Sequence, residues 1–241
     1  MDISKYDFID IGCSSGGATD FAKNVFDGGS SLGIDNNANK VAQARAAGYE
    51  VIQADAVQAC LFVGSVRFVI MSHFLEHLPD LETAEKVMSA TCSCARDFVY
   101  IQQPWFDSDE MLADLGLKFC WSDWTGHPNH VRVADFVRLC EQLLQRQKAV
   151  RFVIWGHHLV RSSQEKFLLP LSASRDQTEW SPEKHGLKPD VSFEQEVFRE
   201  IRVVGAIREP DVVEDVIARA KGTRILWDSA KQKRWRLKRA V

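Results

Sequence analysis

The sequence has few of the features that mark secreted, membrane-spanning or nucleic-acid-coating proteins. We expect no secretory signal, because MDISKYDFID lacks a basic start followed by an apolar core. No apolar run approaches the roughly 20 residues of a membrane span. Six cysteines are scattered through 241 residues, which favours reduced thiols in a cytoplasmic protein. The net charge of −3 lacks the basic excess that is typical of nucleic-acid-binding domains.

Metal-binding motifs and interdomain linkers are also scarce. Cys92 and Cys94 form a C-x-C pair, but no second pair follows at the spacing of a zinc site, so the sequence predicts no metal ion. Repeats and low-complexity linkers are missing as well. We therefore expect residues 1–230 to form one domain, followed by a basic tail at 231–241.

What the sequence does have is an alternation of strand-like and helix-like segments, which predicts an α/β fold with a doubly wound, mostly parallel sheet and helices on both faces. The run VRFVIMSHF at 66–74 is apolar in the manner of a strand buried on both faces. Residues 161–193 lack periodicity and are expected to form an irregular insertion. The other predicted strands lie at 30–35, 49–56, 97–106, 150–160 and 198–209, and the helices at 18–26, 36–48, 82–95, 134–147 and 211–222.

The first strand leads into a turn of small residues within YDFIDIGCSSGG at 6–17, and a helix follows directly. Glycine reaches backbone angles that other residues adopt only with strain, so Gly12 and Gly16 suit a tight turn. Strand, small-residue turn and helix together place backbone N–H groups at a helix N-terminus, where they can meet an electron-rich ligand. The stretch therefore predicts a site for a nucleoside-bearing cofactor.

Three carboxylates stand at the ends of the first three predicted strands. Ligands of open α/β sheets bind at the carboxyl ends of the strands, so these acids are expected beside the cofactor. Asp35 stands 19 residues after Gly16, close to the spacing at which an acid accepts hydrogen bonds from ribose hydroxyls. Asp55 could accept from an exocyclic adenine amine. Asp10 suits an ammonium group.

The motifs D-I-G-C-S-S-G-G, G-I-D, Q-A-D-A and SHFLEHLPD resemble those of class I S-adenosylmethionine-dependent methyltransferases, particularly the subgroup with an L-E-H-L stretch after strand four. The resemblance covers about residues 6–106 and continues more loosely through 130–144. It implies a Rossmann-like seven-stranded sheet whose last strand, at 198–209, is antiparallel. It departs from the family pattern at Ser14, which stands where the middle glycine of the turn is usual.

The resemblance also implies S-adenosylmethionine as the cofactor and a role for each residue around it. Asp10 and the turn would surround the methionine moiety, Asp35 the ribose and Asp55 the adenine. Asn36 and Ala56 would flank the adenine ring, while Ser72 and His73 would line the pocket at the end of strand four. The cofactor-binding residues are thus Asp10, Gly12, Ser14, Gly16, Asp35, Asn36, Asp55, Ala56 and Ser72.

Two other classes of function stay open at this stage. A dinucleotide-binding, NAD(P)-dependent oxidoreductase would have G-x-G-x-x-G glycines at positions 12, 14 and 17, of which 12 and 17 are present. Asp10, Asp55 and the L-E-H-L stretch are not part of that fingerprint. A cofactor-binding protein without turnover, acting in an assembly, is the other alternative.

A hydroxyl acceptor benefits from a base that removes its proton, and imidazole titrates near neutral pH. His127, in the TGHPNH segment after the fifth strand, and His73 are the candidate catalytic residues. The N-P-P-F and D-P-P-Y stretches of enzymes that methylate amino groups of nucleic-acid bases are missing after strand four, and no Pro-Cys dipeptide occurs. The prediction is therefore O-methylation of a small molecule or of a glycan or lipid-linked sugar, as in polysaccharide biosynthesis.

Six of the nine residues at 231–239 are basic, so this tail forms an electrostatic unit distinct from the acidic body. Runs of like charge are commonly solvated. The alternative is that Lys231–Arg239 contacts an anionic membrane surface, which would place the protein at the inner face of the membrane.

Overall fold

The computed structural model describes residues 1–62, 65–222 and 224–234. Its strands are β1 (Phe8–Ile11), β2 (Ser31–Asp35), β3 (Val51–Gln53), β4 (Val66–Ser72), β5 (Ala95–Pro104), β6 (Leu117–Phe119), β7 (Arg151–Ser162), β8 (Leu168–Pro170), β9 (Ser192–Ala206) and β10 (Arg224–Asp228). Its α-helices are α1 (Gly17–Phe26), α2 (Ala38–Ala46), α3 (Leu81–Cys94), α4 (Asp109–Asp114), α5 (Val133–Gln145), α6 (Pro182–His185) and α7 (Val212–Arg219). Short 3-10 helices lie at Ala56–Leu61, Leu75–His77 and Ser229–Arg234.

The main sheet has the strand order β3-β2-β1-β4-β5-β9-β7-β10. Strands β1 to β5 are parallel, β9 runs antiparallel to both β5 and β7, and β10 runs antiparallel to β7. This confirms the predicted mostly parallel α/β sheet, including the antiparallel strand expected at 198–209. The predicted number of seven strands is wrong, because β10 adds an eighth at the edge of the sheet. The five residues of β10, RILWD, are too few to show the alternation of a strand, and a basic stretch follows them directly in the sequence.

Both faces of the sheet are covered, and the central strands contribute side chains alternately to each. On one face, a stack of rings runs across three strands. Phe8, Phe68 and Phe98 are paired in register, and consecutive ring centroids are 4.8 Å apart with nearly parallel planes. That separation equals the spacing between hydrogen-bonded strands, so the backbone ladder itself sets the stacking distance. Helices α1 and α7 pack on this face, and α3 and α5 pack on the opposite one.

The helices begin where side chains accept their first N–H groups. Asn37 caps α2 by accepting from Asn39 N and Lys40 N at 3.0 and 3.2 Å, and Asp80 caps α3 by accepting from Thr83 N at 2.8 Å. Such caps satisfy N–H groups that have no partner within the helix. Helix α3 therefore begins shortly after β4, which leaves only the short segment 73–80 to shape the end of the sheet.

The predicted insertion at 161–193 contains more regular structure than its sequence suggested. Strand β8 pairs antiparallel with β6 in a separate two-stranded sheet, and α6 forms a single turn. This pairing ties the insertion to the segment after β5. Three-residue strands show no readable period, so the sequence could not reveal the pairing. Within the described ranges, no helix has both the length and the apolar character needed to cross a bilayer.

Gly16 and Gly17 provide a matched pair for testing the turn. Gly16 has φ +106°, which side chains rarely tolerate, and a Cβ there would overlap the Tyr49 ring. Gly17 is the first residue of α1, and a Cβ there would meet open space.

We expect Gly16→Ala to lower the free energy of unfolding by about 2 kcal/mol, since it adds both backbone strain and a clash. Gly17→Ala should leave it unchanged or raise it by up to about 1 kcal/mol, because alanine favours a helix. Urea unfolding followed by circular dichroism measures both. Equal losses in the two variants would show that the Gly16 backbone carries no special constraint.

Candidate active site

The small-residue turn closes against the end of the neighbouring strand. The N–H groups of Gly12 and Cys13 both donate to the carbonyl of Ile34, at 2.8 and 3.1 Å. Ser14, the residue that departs from the glycine pattern, has φ +50°. This left-handed conformation costs a non-glycine residue of the order of 1–2 kcal/mol, which explains why glycine is usual there. The fold keeps the conformation despite the side chain.

Asp35 connects this turn to the end of β2. Its Oδ2 accepts from the N–H of Ser14 at 2.9 Å, and its Oδ1 accepts from the N–H of Asn37 at 2.8 Å. The strained backbone at Ser14 thus directs an N–H at the carboxylate. Each carboxylate oxygen has a second lone pair, and the side chain is only half-buried, so Asp35 can still accept from a ligand hydroxyl.

Asp10 is fully buried beneath the turn. The hydroxyl of Thr19 donates to its Oδ2 at 2.7 Å, whereas Oδ1 has no hydrogen-bond partner among the described residues. Burial raises the pKa of this carboxyl to about 7, and the charge of Asp35 adds to the rise while the Thr19 hydrogen bond opposes it. A buried carboxylate with one unpaired oxygen is costly to folding, and a cation bound beside it would offset that cost.

The other predicted cofactor residues lie along the ends of the strands. Asp55 is exposed and accepts from the N–H of Val57 at 2.9 Å, opening the 3-10 helix of which buried Ala56 is the first residue. Asn36 is exposed next to Asp35, and its carbonyl accepts from Gln53 Nε2 at 3.3 Å. Ser72 is half-buried at the last position of β4.

Two aromatic residues that the sequence did not single out pack on the turn. A Cβ at Gly12 would overlap the ring of Phe74, and one at Gly16 would overlap the ring of Tyr49. The Tyr49 hydroxyl donates to Asp20 Oδ2 at 2.6 Å, which fixes its ring against the start of α1. Glycines in the turn are therefore needed for packing as well as for backbone angle.

A second polar region lies at the ends of β4 and β5. It forms a pocket of about 190 Å³, and it brings together parts of the chain that are distant in sequence. The lining residues are His73, Glu76, His77, Pro104, Trp121, His127, Arg199 and Glu200. Both predicted catalytic histidines are among them. We refer to this region as the acceptor pocket.

His73 lies between two carboxylates. Its Nδ1 is 3.5 Å from Glu76 Oε1, and its Nε2 is 3.8 Å from Glu200 Oε1. Burial alone lowers the pKa of His73, but the two carboxylates outweigh burial and raise it to about 9. His73 is therefore protonated at neutral pH. It suits the role of a hydrogen-bond donor better than that of a base.

Glu200 is held by a second cation. Both Nε and Nη2 of Arg202 donate to its Oε2, at 3.2 and 2.8 Å. Burial raises the pKa of Glu200, but His73 and Arg202 outweigh burial and lower the pKa to about 2. The carboxylate stays ionised and fixed. Neither Glu200 nor Arg199 was predicted. Both lie on β9, about 100 residues after β5 in the sequence, and no local motif marks them.

His127 is half-buried in the irregular segment after β6, and its Nδ1 lies 3.0 Å from the carbonyl oxygen of Trp121. A carbonyl only accepts, so Nδ1 carries the proton and Nε2 carries the lone pair. Burial is the main cause that lowers the pKa of His127. The ring is therefore neutral near pH 7 and able to accept a proton.

Asn129 fixes the position of this segment. Its Nδ2 donates to the carbonyl of Leu75 at 3.0 Å, and its backbone N–H donates to the carbonyl of Glu76 at 3.2 Å. The TGHPNH segment is thus bound to the 3-10 helix that follows β4. The rings of His127 and His77 come to lie with centroids 4.8 Å apart.

Comparisons with known proteins bear on the fold and on the first part of the chain. Residues 9–90 match the family described as a methyltransferase domain. The fold is similar to a SAM-dependent methyltransferase from Archaeoglobus fulgidus, with 18% identity and a TM-score of 0.56 over 83% of this chain and 85% of that one. It is also similar to the YcgJ protein from Bacillus subtilis, with 14% identity and a TM-score of 0.54 over 85% and 92% of the two chains. No curated protein matches the chain significantly.

At these identities the similar structures show the fold, which is that of class I methyltransferases. The matched segment 9–90 contains the turn, the three strand-end acids and the L-E-H-L stretch. The family match over residues 9–90 and the fold together indicate an S-adenosylmethionine-dependent methyltransferase. They give no support to an NAD(P)-dependent oxidoreductase or to a non-catalytic assembly protein.

The raised pKa of Asp10 predicts how stability depends on pH. Because its pKa is about 7 in the folded protein and 3.8 ordinarily, the unfolded chain releases this proton first as pH rises. Ionisation of Asp10 therefore favours unfolding between about pH 4 and pH 7, and the loss is complete above that range.

We expect the free energy of unfolding of the ligand-free protein to fall relative to that of Asp10→Asn as pH rises from about 5 to about 8. The slope for one proton is at most about 1.4 kcal/mol per pH unit. Urea unfolding of both proteins across this range tests it. A difference that stays constant with pH would show that Asp10 is already ionised at pH 5 in the folded state.

Proposed function

We propose that the protein transfers the methyl group of S-adenosylmethionine to a hydroxyl oxygen of a small, sugar-like acceptor, either free or within a glycan or lipid-linked sugar. The observation that carries the proposal is the acceptor pocket. It combines a neutral imidazole, that of His127, with a fixed aromatic wall and with Glu200, a carboxylate paired with His73 and Arg202. A hydroxyl needs to lose a proton to react, and a neutral imidazole can take it.

The residues of the turn fit the cofactor. The sulfonium and ammonium groups of the cofactor are cationic. A cation beside the unpaired oxygen of buried Asp10 would stabilise the ionised carboxylate. Asp35 presents half-exposed lone pairs for the ribose hydroxyls, and Asp55 an exposed carboxylate for the adenine amine. Asn36, Ala56 and Ser72 would line the remaining edge. When bound, the cofactor supplies an electrophilic methyl group.

Trp121 forms the aromatic wall of the acceptor pocket. Its indole N–H donates to the carbonyl of Trp105 at 2.8 Å, and its ring stacks on Phe119 with centroids 4.5 Å apart. Phe167, next to β8, packs on it at 5.4 Å. An indole held in this way is a rigid flat surface that the apolar face of a sugar ring can cover. The two-stranded sheet of β6 and β8 thus holds Trp121 in place, because Phe119 and Phe167 pack on its ring.

His127 and His73 have different proposed roles. His127 accepts the hydroxyl proton through Nε2, because its Nδ1 is committed to Trp121. His73 is protonated and donates to acceptor oxygens or orients Glu76. In-line placement of the acceptor supplies a further part of the rate enhancement, because two reactants held together avoid the entropy of encounter.

A lipid-linked or surface glycan acceptor would fit a protein that works at the inner face of a membrane. The basic stretch Lys231–Arg239 is the proposed contact. Residues 235–239, with Trp235 and Leu237, lie outside the described residues, so this part of the proposal is supported by sequence alone.

Cofactor identity is tested by calorimetry with S-adenosylmethionine, S-adenosylhomocysteine and NAD. We expect the two adenosyl ligands to bind and NAD not to bind. Asp35→Ala should weaken the adenosyl ligands at least about 10-fold, since a hydrogen bond to a charged group contributes roughly 1.5–3 kcal/mol. Asp114→Ala, an exposed acid at the end of α4, is the control and should bind normally. NAD binding without adenosyl binding would refute the cofactor assignment.

His127→Gln separates catalysis from binding. With methyl-labelled cofactor and a panel of free sugars and nucleosides, we expect the wild type to label at least one hydroxyl acceptor. His127→Gln should lower turnover on that acceptor about 100-fold or more and leave cofactor affinity unchanged. His185→Gln, on helix α6 and outside the lining of the acceptor pocket, should turn over normally. Full activity of His127→Gln would remove His127 from the chemistry.

A further inference from the structure

Three metal-ligating side chains converge in the acceptor pocket. A carboxylate oxygen of Glu76 and one ring nitrogen each of His77 and His127 lie within 4.8 Å of one another. In a tetrahedral site with bonds of 2.0–2.1 Å, ligand atoms are about 3.3 Å apart. Side-chain shifts of the order of 1 Å would therefore close the three groups around an ion.

Both histidines are held in the tautomer that a metal ligand needs. His77 Nδ1 lies 2.7 Å from the carbonyl oxygen of Gly126, as His127 Nδ1 lies 3.0 Å from that of Trp121. Each ring thus donates through Nδ1 and keeps the lone pair on Nε2. Metal-bound histidines characteristically donate their second ring nitrogen to a carbonyl or a carboxylate, which fixes ring orientation and increases basicity. Here two rings in one pocket have that support.

Glu76 supplies an independent observation. Its side chain is fully buried, and neither carboxylate oxygen has a hydrogen-bond partner within the part of the chain described. The nearest cation is His73, at 3.5 Å from Oε1. Buried carboxylates are normally hydrogen-bonded, paired at close range or bound to a metal ion. The backbone carbonyl of Glu76 accepts from the N–H of Asn129, which ties this residue to the TGHPNH segment.

We propose that Glu76, His77 and His127 bind one divalent transition-metal ion in the acceptor pocket. Two imidazoles and one carboxylate favour Zn²⁺, Fe²⁺, Co²⁺ or Mn²⁺ over Mg²⁺ and Ca²⁺, which take oxygen ligands. Three protein ligands leave coordination positions open to the pocket, as in catalytic sites.

The sequence predicted no metal ion because its cysteines do not stand at the spacing of a zinc site. The ligands proposed here come instead from a Glu-His pair directly after β4 and from a histidine 50 residues later. Only the closure of the TGHPNH segment onto the 3-10 helix brings them together. Adjacent residues on a 3-10 helix seldom face one site, so the pair Glu76–His77 alone gave no spacing signal.

The chemical use of such an ion rests on the proposed function. An acceptor hydroxyl oxygen bound at an open position would lose its proton more readily, because a metal ion lowers the pKa of a bound oxygen ligand. In the metal-bound protein, His127 Nε2 would hold the ion, so the hydroxyl proton would pass to solvent water; only in the metal-free protein would His127 itself take the proton. For the proposed O-methylation, such an ion would favour sugar acceptors with adjacent hydroxyls, since both hydroxyl oxygens could bind it.

The alternative is that the groups form a closed, metal-free ion pair. Protonated His73 then balances Glu76, Arg202 balances Glu200, and His77 and His127 serve only packing. This arrangement does not explain why His77 and His127 both direct Nδ1 at a backbone carbonyl, or why Glu76 Oε2 is buried without a partner among the described residues. Metal binding distinguishes the two interpretations directly.

The test measures Zn²⁺ binding by calorimetry and Co²⁺ binding by visible absorption, with chelator-treated full-length protein and no acceptor. We expect one ion per chain, a Co²⁺ spectrum without the near-ultraviolet bands of thiolate ligands, and no binding of Mg²⁺. Glu76→Gln, His77→Gln and His127→Gln should each lower affinity at least about 100-fold, since even outer partners of metal ligands contribute 10–100-fold. His185→Gln is the matched control and should bind as the wild type does.

Circular dichroism establishes that each variant is folded, and His127→Gln, in an irregular segment, keeps the test valid if Glu76→Gln unfolds. Absence of Zn²⁺ and Co²⁺ binding, or binding that all three folded variants retain, would overturn the proposal. The assay uses neither cofactor nor acceptor. Metal binding by a protein that labels no hydroxyl would therefore refute the proposed function and leave the metal site standing.

Discussion

The burial of carboxylates at the carboxyl ends of parallel strands is the constraint on which the rest of the structure depends. Asp10 lies inside the sheet beneath the turn, and Glu76 lies beneath the acceptor pocket, both without exposure to solvent. Each such group costs stability unless a cation or enough donors compensate it. The stacked phenylalanines and the two layers of helices supply the apolar burial that makes this tolerable. The core therefore supports two buried carboxyl groups that it does not itself need.

The two carboxylates are compensated to different degrees, and that difference separates the two halves of the site. Beneath the turn, Asp10 has one hydroxyl donor and a like charge, Asp35, nearby, which raises its pKa. In the acceptor pocket, His73 and Arg202 bring positive charge to Glu76 and Glu200. The first arrangement favours a cationic ligand. In the second, burial keeps the imidazole of His127 neutral, so that this ring can donate a lone pair.

Much of the fold was predictable because long segments carry a clear period. Strand β4 is apolar on both faces, and the glycines, with the acids at the ends of β1 and β2, follow a pattern that backbone geometry imposes. Strands β6, β8 and β10 were not predicted. They are as short as β1 to β3, but they lie outside residues 6–106, where the family motifs mark the short strands. Their positions depend on pairing with segments distant in sequence.

The candidate site divides in the same way. The turn and Asp35 lie close in sequence, so a local motif describes them. The acceptor pocket draws on β4, β5, the segment after β6, and β9, and no spacing rule connects these. His73 shows the limit most clearly. Its sequence position suggested a base, yet Glu200, which only the sheet order brings near, keeps it protonated.

Strand β9 is the element that couples these features. It runs antiparallel between β5 and β7, placing Glu200 opposite Pro104 on one side and His157 on the other. Because β9 is antiparallel to β5, its N-terminal half lies at the edge of the sheet where β5 and the other parallel strands have their C-terminal ends. It therefore delivers Arg199, Glu200 and Arg202 to the ligand-binding edge of the sheet from a segment with no motif of its own. The reversed direction of this strand thus has a chemical consequence. It brings a carboxylate, Glu200, and two arginines to the pocket end of the sheet.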